Sequence, residues 1–376
     1  MKRSKQRRHV MITENIVGRH YSELPSPCLL VDMEALEYNI KTMQELADSK
    51  NRSLRPHIKT HKSPRIAHMQ IDAGAVGITC AKLGEAIVMS HAGIKNILIA
   101  NQVVGEGKIK VLAGLNRYGT VMPCVDNLDN AKEIARIAKE FGVTIPVFLE
   151  IEIGLDRCGV RTADEAIELA KGIAELDHIY IKGIQAYEGR GNGSTTAEAK
   201  MQYAGETVGR AIAIKRALKE AGFEFEIFSG SSTGTATAVS EVDGVTELQP
   251  GTYAFMEIGY TEEEIMIPFK QALYVHAKVI STYGGRRIVT DSGEKCIGID
   301  QGLPHLVLDP AAKVAMHEEH CKIDTTEKLK DLKVGDSVLL VPGHCCTTAN
   351  LHDRYYCVRN GIVEDVWPIE ARGRMD

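Results

Sequence analysis

From residue 28 to about residue 240, short β-rich runs alternate with amphipathic helical stretches, and this alternation limits the fold of the 376-residue chain more than any other feature. The runs are Cys28–Val31, Ser53–His57, Val76–Thr79, Ile97–Ala100, Thr120–Val125, Val147–Ile151, Ile179–Gln185 and Phe225–Phe228. After the first, Asp32 can cap a helix whose apolar residues Leu36, Ile40 and Met43 recur at helical spacing. Further helical stretches cover Pro64–Asp72, Leu83–Ala92, Asp129–Glu140, Ala163–Glu175 and Ala197–Ala221. Eight β/α units are what a closed (β/α)8 barrel needs. A doubly wound open sheet also alternates in this way, but it carries a glycine-rich nucleotide turn after its first strand, and Asp32-Met33-Glu34 offers none.

From about Gln271 the helical period fades. Ala272–Thr282, Arg287–Thr290, Ser337–Val341, Tyr355–Val358 and Gly361–Trp367 are short β-rich runs separated by turn residues, which reads as a β domain. The expected architecture is therefore α/β: a (β/α)8 barrel over residues 25–265 and a C-terminal β domain over 266–376, joined by a crossing segment at Tyr260–Lys270. Residues 1–24 form a tail that can return a strand to the β domain.

A formal charge of −5 argues against a nucleic-acid surface. The basic cluster from Lys2 to Arg8 has no long apolar run behind it, so neither a signal peptide nor a membrane span is expected. Nine cysteines, an odd number without CxxC pairs, suit reduced thiols in a cytoplasmic protein.

Barrel active sites collect at the C-terminal ends of the strands. At one such end, Leu54 to Lys62 brings His57, Lys59, Thr60 and His61 together just after Pro56, which forces its predecessor into extended geometry. Lys59 follows apolar Ile58, so partial desolvation makes its amine available as a nucleophile. The plainer alternative makes Lys59 and Lys62 solvated loop lysines. Arg157 follows the sixth run, and Tyr187 ends the seventh. Ser229-Gly230-Ser231-Ser232-Thr233-Gly234-Thr235 follows the eighth and is dense in hydroxyls and backbone donors, the chemistry that cradles a phosphate. A lysine, an arginine, an aromatic and a phosphate cup on one rim suggest pyridoxal phosphate, which forms a Schiff base with a lysine and acts as an electron sink.

In the β domain, His344 and Cys346 stand at i and i+2. In extended geometry they point to one side and suit two ligands of one metal, with zinc favoured by imidazole and thiolate. His352 and Asp353 can add a ligand or a hydrogen-bonded support. Two ordinary buried cysteines beside a structural histidine would look the same.

The stretches Pro56 to Pro64, Cys80 to Ala86, Ile97 to Asn101, Leu248 to Tyr253 and Trp367 to Gly373 together resemble the D-threonine aldolase and D-serine dehydratase group, from about Pro25 to the C-terminus. The resemblance implies an alanine racemase-like fold, with the barrel carrying pyridoxal phosphate and the β domain completing the site with a divalent metal (zinc, manganese or magnesium). It implies that Lys59 carries the cofactor, that Arg157 faces the pyridine nitrogen and that Tyr187 lies near the ring. Ser231, Ser232, Thr233, Gly234, Thr235 and Tyr253 then match the phosphate-binding positions, and catalytic His344 binds the metal with Cys346.

Aldolases of this group pair the metal histidine with an aspartate two residues later, whereas the dehydratases use His-x-Cys, as here. The wording around Cys80-Ala81-Lys82 and Asn350 to Asp353 resembles the aldolases. The expected activity is retro-aldol cleavage of D-3-hydroxy amino acids of the D-threonine type to glycine and an aldehyde. The alternatives are a D-serine or D-3-hydroxyaspartate dehydratase with a His-x-Cys zinc site, an amino-acid racemase using Tyr355 or Tyr356, and a non-catalytic pyridoxal-phosphate-binding protein. The resemblance further implies a homodimer acting on a small molecule, and the charge and the lack of a long apolar run leave no nucleic-acid or membrane partner expected.

Overall fold

The computed structural model describes residues 16–189, 196–260 and 268–376. The basic cluster at residues 2–8 and most of the expected crossing segment lie outside them. Two sheets organise the chain. The first strand, β1 (Cys28–Asp32), leads through its Asp32 cap into α1 (Met33–Ser49), where the carboxylate accepts the Ala35 N–H at 3.0 Å.

The barrel strands follow: β2 (Ser53–Leu54), β3 (Ile78–Cys80), β4 (Asn96–Gln102), β5 (Thr120–Val125), β6 (Ile145–Ile151), β7 (Ile179–Ala186), β8 (Ile227–Gly230) and β9 (Glu247–Leu248). Between them run α2 (Pro64–Asp72), α3 (Leu83–His91), α4 (Glu106–Leu115), α5 (Leu128–Phe141), α6 (Ala163–Ala174), α7 (Ala197–Glu220) and α8 (Ala236–Ser240). All neighbouring strands are parallel, in the order β3-β4-β5-β6-β7-β8-β9-β2. The ring closes just beyond β2, where His57 bridges Thr79: Ile58 N–H donates to Thr79 O, and Thr79 N–H to Pro56 O, both at 2.8 Å.

The strand count is as expected, but its membership differs. β1 is no barrel strand: it pairs antiparallel with β10 (Leu273–Tyr283) and parallel with β16 (Arg354–Arg359) in the second sheet. Its residues Cys28 to Val31 are all buried, and a strand covered on both faces has no alternation to reveal which sheet it joins. The place in the barrel goes to β9, which is too short to carry a period. Helix α4 was also absent from the periodic pattern.

The second sheet runs β13-β14-β11-β10-β1-β16-β17, with β15 on β10 and β12 on β15. Its remaining strands are β11 (Arg287–Thr290), β12 (His305–Leu306), β13 (Val314–Met316), β14 (Cys321–Asp324), β15 (Ser337–Val341) and β17 (Ile362–Pro368), with a short helix α9 (Cys345–Asn350) after β15. Strands β12 to β14, two to four residues each, are too short to be seen in sequence. Of the residues before Pro25, the described ones from Ile16 on lie against this domain. Gly18 N–H donates to Val363 O at 2.8 Å, and Tyr21 N–H to Gly361 O at 2.8 Å.

Inside the barrel, closure is reinforced by a buried ion pair. Arg55 Nε lies 2.8 Å from Glu247 Oε1, and Arg55 Nη1 donates to Asn96 Oδ1 at 2.9 Å. Glu247 also accepts from Ser229 Oγ at 2.5 Å, and Gln249 Nε2 donates to that hydroxyl at 2.6 Å. Removing one partner of such a pair strands a buried charge at a cost of about 3–5 kcal/mol, whereas replacing both with apolar groups can be nearly neutral. Arg55→Leu is therefore expected to lower the urea midpoint sharply. Arg55→Leu combined with Glu247→Leu should recover part of that loss, which equilibrium unfolding of the three proteins measures.

Candidate active site

The turn after β2 is tightly wound. His61 and Lys62 both donate backbone N–H groups to Ile58 O, at 3.1 and 2.7 Å, and Lys59 N–H donates to His57 Nδ1 at 3.3 Å. Ile58 is fully buried, so the turn is anchored by its apolar side chain and presents Lys59 on the rim, half-buried. The second lysine has a different fate. Lys62 is buried, takes a positive φ of 51° and places Nζ 2.5 Å from Glu85 Oε1. The other oxygen of Glu85 accepts the Ala81 and Lys82 N–H groups at 2.6 and 3.3 Å. Neither lysine is a solvated loop lysine. Burial, and secondarily the charge of Lys59, pushes the His57 imidazole well below its usual range, so it faces the rim as a neutral ring.

Tyr187, just past β7, lies between two cations. Lys59 Nζ is 5.8 Å and Arg157 Cζ 5.6 Å from its ring centroid. Arg157 sits on a loop shaped by Glu152, whose Oε1 accepts the N–H groups of Gly154 and Asp156, both at 2.7 Å. Its Nη2 is 4.0 Å from Glu150 Oε1, and Gln102 Nε2 donates to the other Glu150 oxygen at 2.8 Å. Burial raises the Glu150 carboxyl, while Arg157 and Gln102 pull it part of the way back.

The loop after β8 builds a cup. Ser231 has φ +83°, and its buried Oγ has no hydrogen-bond partner among the described residues. An orphaned buried hydroxyl is costly and marks a place for an outside acceptor or donor. Ser231, Ser232 and Thr233 line the same cavity as Lys59, Arg157 and Tyr187. Gly234 and Thr235 do not line it. Thr235 is fully buried and hydrogen-bonded through Oγ1 to Glu188 and to the Ser232 N–H. Burial raises the Glu188 carboxyl, which favours its neutral form and spares an anion in the cup from repulsion. The Tyr253 side chain is in the core, its hydroxyl accepting from Gln70 Nε2 at 2.9 Å, while its backbone N–H donates to Thr233 Oγ1 at 2.9 Å. Close approach to the Lys59 turn requires Gly251: a Cβ there would lie 2.7 Å from His57 O and 2.9 Å from Thr60 Oγ1.

The opposite wall comes from the second sheet. His344 is extended (φ −143°, ψ 110°), but Cys345 already begins α9, so the pair sits on a strand-to-helix corner and not in the extended run expected from sequence. Both side chains nevertheless line the cavity, and they hydrogen-bond each other. His344 Nδ1 is 2.6 Å from Asp300 Oδ2, Cys346 Sγ is 3.3 Å from Thr60 Oγ1, and Cys345 N–H donates to the buried Glu257 carboxylate at 2.8 Å. Hydrogen bonds from Cys345 and His344 hold the Cys346 thiol well below its usual range against the effect of burial. Burial would lower His344, but Cys346 and Asp300 lift it to about 9.

A low-lying thiol beside an imidazole that faces the Asp300 carboxylate is a donor set in which a cation can take the place of the imidazole's second proton, so these residues fit a divalent metal. Among the described residues no three His, Cys, Asp or Glu side chains converge as ligands. Two protein ligands leave positions for water and substrate oxygen, as catalytic metals require.

Two expectations fail at this wall. His352 Nε2 is engaged with Cys296 O at 2.8 Å, and Asp353 with Arg372 Nε at 2.6 Å, so neither supports the pair. Tyr355 is fully buried with its hydroxyl donating to His61 O at 2.8 Å, and Tyr356 packs with Cys28 and Leu30. Neither lines the cavity, as a racemase's second acid/base would. The sequence reading also passed over Glu150, Glu257 and Asp300. Only Glu150 left a signal, as a carboxylate inside the otherwise apolar run Val147–Ile151.

The cavity these walls enclose has a volume of about 250 Å³ and draws on both sheets. The model of the alanine racemase N-terminal domain matches residues 31–258, and a serine dehydratase domain model matches residues 272–358. The chain is 36% identical to 3-hydroxy-D-aspartate aldolase of Paracoccus denitrificans (strain Pd 1222), over 95% of this chain and 94% of that one. The crystal structure of D-threonine aldolase from Filomicrobium marinum superposes with a TM-score of 0.93 at 35% identity, covering 96% of this chain and 98% of that one. For D-threo-3-hydroxyaspartate dehydratase from Delftia sp. HT23 the TM-score is 0.84 at 25% identity, with 93% and 98% covered. Over nearly its whole length the chain belongs to the D-threonine aldolase and D-serine dehydratase group of alanine racemase-like proteins.

Proposed function

We propose that this protein is a lyase dependent on pyridoxal phosphate and a divalent metal, which cleaves D-3-hydroxy amino acids of the D-threonine type to glycine and an aldehyde. The observation that carries the reading is a single cavity holding a rim lysine, a cup with an orphaned hydroxyl and, across from both, the His344 and Cys346 pair. When bound, the cofactor supplies an electron sink at Cα and the metal supplies Lewis acidity at the β-oxygen. Lys59 attaches the cofactor, Ser231, Ser232 and Thr233 hold its phosphate, and Tyr187 packs near its ring. Arg157, never a proton acceptor, faces the pyridine nitrogen and keeps it unprotonated. His344 and Cys346 would hold the metal, which would supply Lewis acidity to the substrate's β-hydroxyl. Cleavage would send the hydroxyl proton to a water of the cavity and the Cα–Cβ electron pair to Cα, and Lys59, as the ammonium group on the rim, would be placed to give Cα the proton that completes glycine.

The second reading is loss of water from D-serine or D-3-hydroxyaspartate, and Cys346 favours it, because the resembled aldolases carry aspartate at that place. The aldolase reading is preferred because the aldolase relatives stand at 34 to 36% identity over 95% of the chain, against 31% over 74% of it for D-threo-3-hydroxyaspartate dehydratase. The nine free thiols support a cytoplasmic location, and no helix among the described residues is long and apolar enough to cross a membrane. A homodimer is proposed on the family resemblance.

The deciding assay offers D-threonine and D-serine to the cofactor-loaded protein with zinc, manganese or magnesium. Glycine with acetaldehyde is expected; pyruvate with ammonia from D-serine, and no glycine from D-threonine, moves the protein to the dehydratase reading. Lys59→Ala is expected to lose the cofactor's visible absorbance, and borohydride should fix no cofactor on that chain. Retention of both would mean that another lysine carries it. Cys346→Asp replaces a soft donor by a hard one and should shift metal preference from zinc towards manganese or magnesium with cleavage retained. Chelation should abolish turnover and leave the visible absorbance in place; full activity after chelation sinks the metal assignment.

A further inference from the structure

We propose that Asp300 is the positioning residue of the metal pair: through its hydrogen bond to His344 Nδ1 it makes Nε2 the ligating atom of that ring. The inference rests on the function proposed above and adds how the metal is held.

Asp300 lies in an irregular stretch between β11 and β12, and its Oδ2 is 2.6 Å from His344 Nδ1. A carboxylate can only accept, so the proton in this bond is on Nδ1. The second ring nitrogen, Nε2, is 3.2 Å from Gln301 Nε2, an amide nitrogen that can only donate. Both neighbours therefore favour one form once a cation takes the place of the ring's second proton: Nδ1 keeps its proton and Nε2 presents the lone pair. Gln301 and His344 line the active cavity, and Asp300 lines an adjoining one with Lys59, Cys346 and Thr347, so the contact through which it reaches the pair is its hydrogen bond to the imidazole.

The carboxylate is itself held. Its Oδ1 accepts from Thr347 Oγ1 at 2.7 Å, and Thr347 lies on α9, the helix that carries Cys346. One residue thus spans the imidazole and the helix bearing the thiol, which fixes the two ligands relative to each other. The approach of this stretch to α9 is tight at Gly298, whose N–H donates to Thr348 Oγ1 at 3.0 Å. A Cβ at that glycine would lie 2.0 Å from Thr347 Oγ1. A carboxylate on the far nitrogen of a ligating histidine sets ring orientation and raises basicity, and its loss costs about 10–100-fold in metal affinity.

The test is calorimetric titration of Zn²⁺ and Mn²⁺ into the chelator-treated, cofactor-loaded protein, comparing wild type with Asp300→Ala, Asp300→Asn and His344→Ala. Asp300→Ala is expected to bind metal about 10–100-fold more weakly. Asp300→Asn keeps an acceptor for the Nδ1 proton and should fall between it and wild type, and all three should bind pyridoxal phosphate like wild type. Wild-type metal affinity in Asp300→Ala overturns the inference. Metal binding lost as completely as in His344→Ala also overturns it, since Asp300 would then be a ligand. If His344→Ala itself titrates like wild type, the metal site of the proposed function fails first.

Discussion

The hydrogen bonds that join Pro56 and Ile58 to Thr79 are the constraint on which the rest of the structure depends. They close the barrel, and they do so at the residue before Lys59, so ring closure and placement of the rim lysine are one event. The turn that follows is then held from every side. Gln70 on α2 bonds His61 Nε2 at 3.2 Å, Glu85 on α3 pairs with Lys62, and the second sheet contributes the Tyr355 hydroxyl to His61 O. Ala371 N–H adds a bond to Lys62 O at 3.0 Å. A side chain that must meet a cofactor within a few tenths of an ångström gains its precision from such support, not from its own rotamer preference.

Much of this was legible in the sequence, and what was not has identifiable causes. Helices with a clean apolar stripe and strands of five to eight residues advertise their period, which is why most of the barrel could be read. Strand β1 could not be assigned to its sheet because it is buried on both faces, and β9 is held by partners and not by propensity. The serine-rich loop announced a cup by composition, yet only Ser231, Ser232 and Thr233 face the cavity, while Thr235 turns inward to Glu188. The spacing of His344 and Cys346 identified the pair, although the geometry invoked for it was wrong, because α9 begins between them. Asp300 was invisible for a simple reason: its contact with His344 spans 44 residues of chain, with no motif at either end.

The charges of the site divide by function. The pairs Arg55–Glu247 and Lys62–Glu85 are buried, closely matched and remote from the reacting atoms, so they hold the frame. At the His344 and Cys346 corner, the Asp300 carboxylate bonds the imidazole, Glu257 accepts the Cys345 N–H, and the charge of Lys59 reaches the Cys346 thiol, so this corner is tied electrostatically to the rim lysine.

That corner also explains why the choice between cleaving a carbon–carbon bond and expelling water is a local one. Thr60, the neighbour of Lys59, touches the Cys346 sulfur, and Glu257 from the barrel accepts from the first N–H of α9. The His344 and Cys346 pair is therefore referenced to the barrel rim and not only to its own sheet. With the frame held in this way, its spacing from Lys59 is set by these barrel contacts. The donor at position 346 is where the two proposed readings differ. A thiolate gives a softer, more charge-neutralised cation than a carboxylate, and hence a weaker Lewis acid towards the β-oxygen.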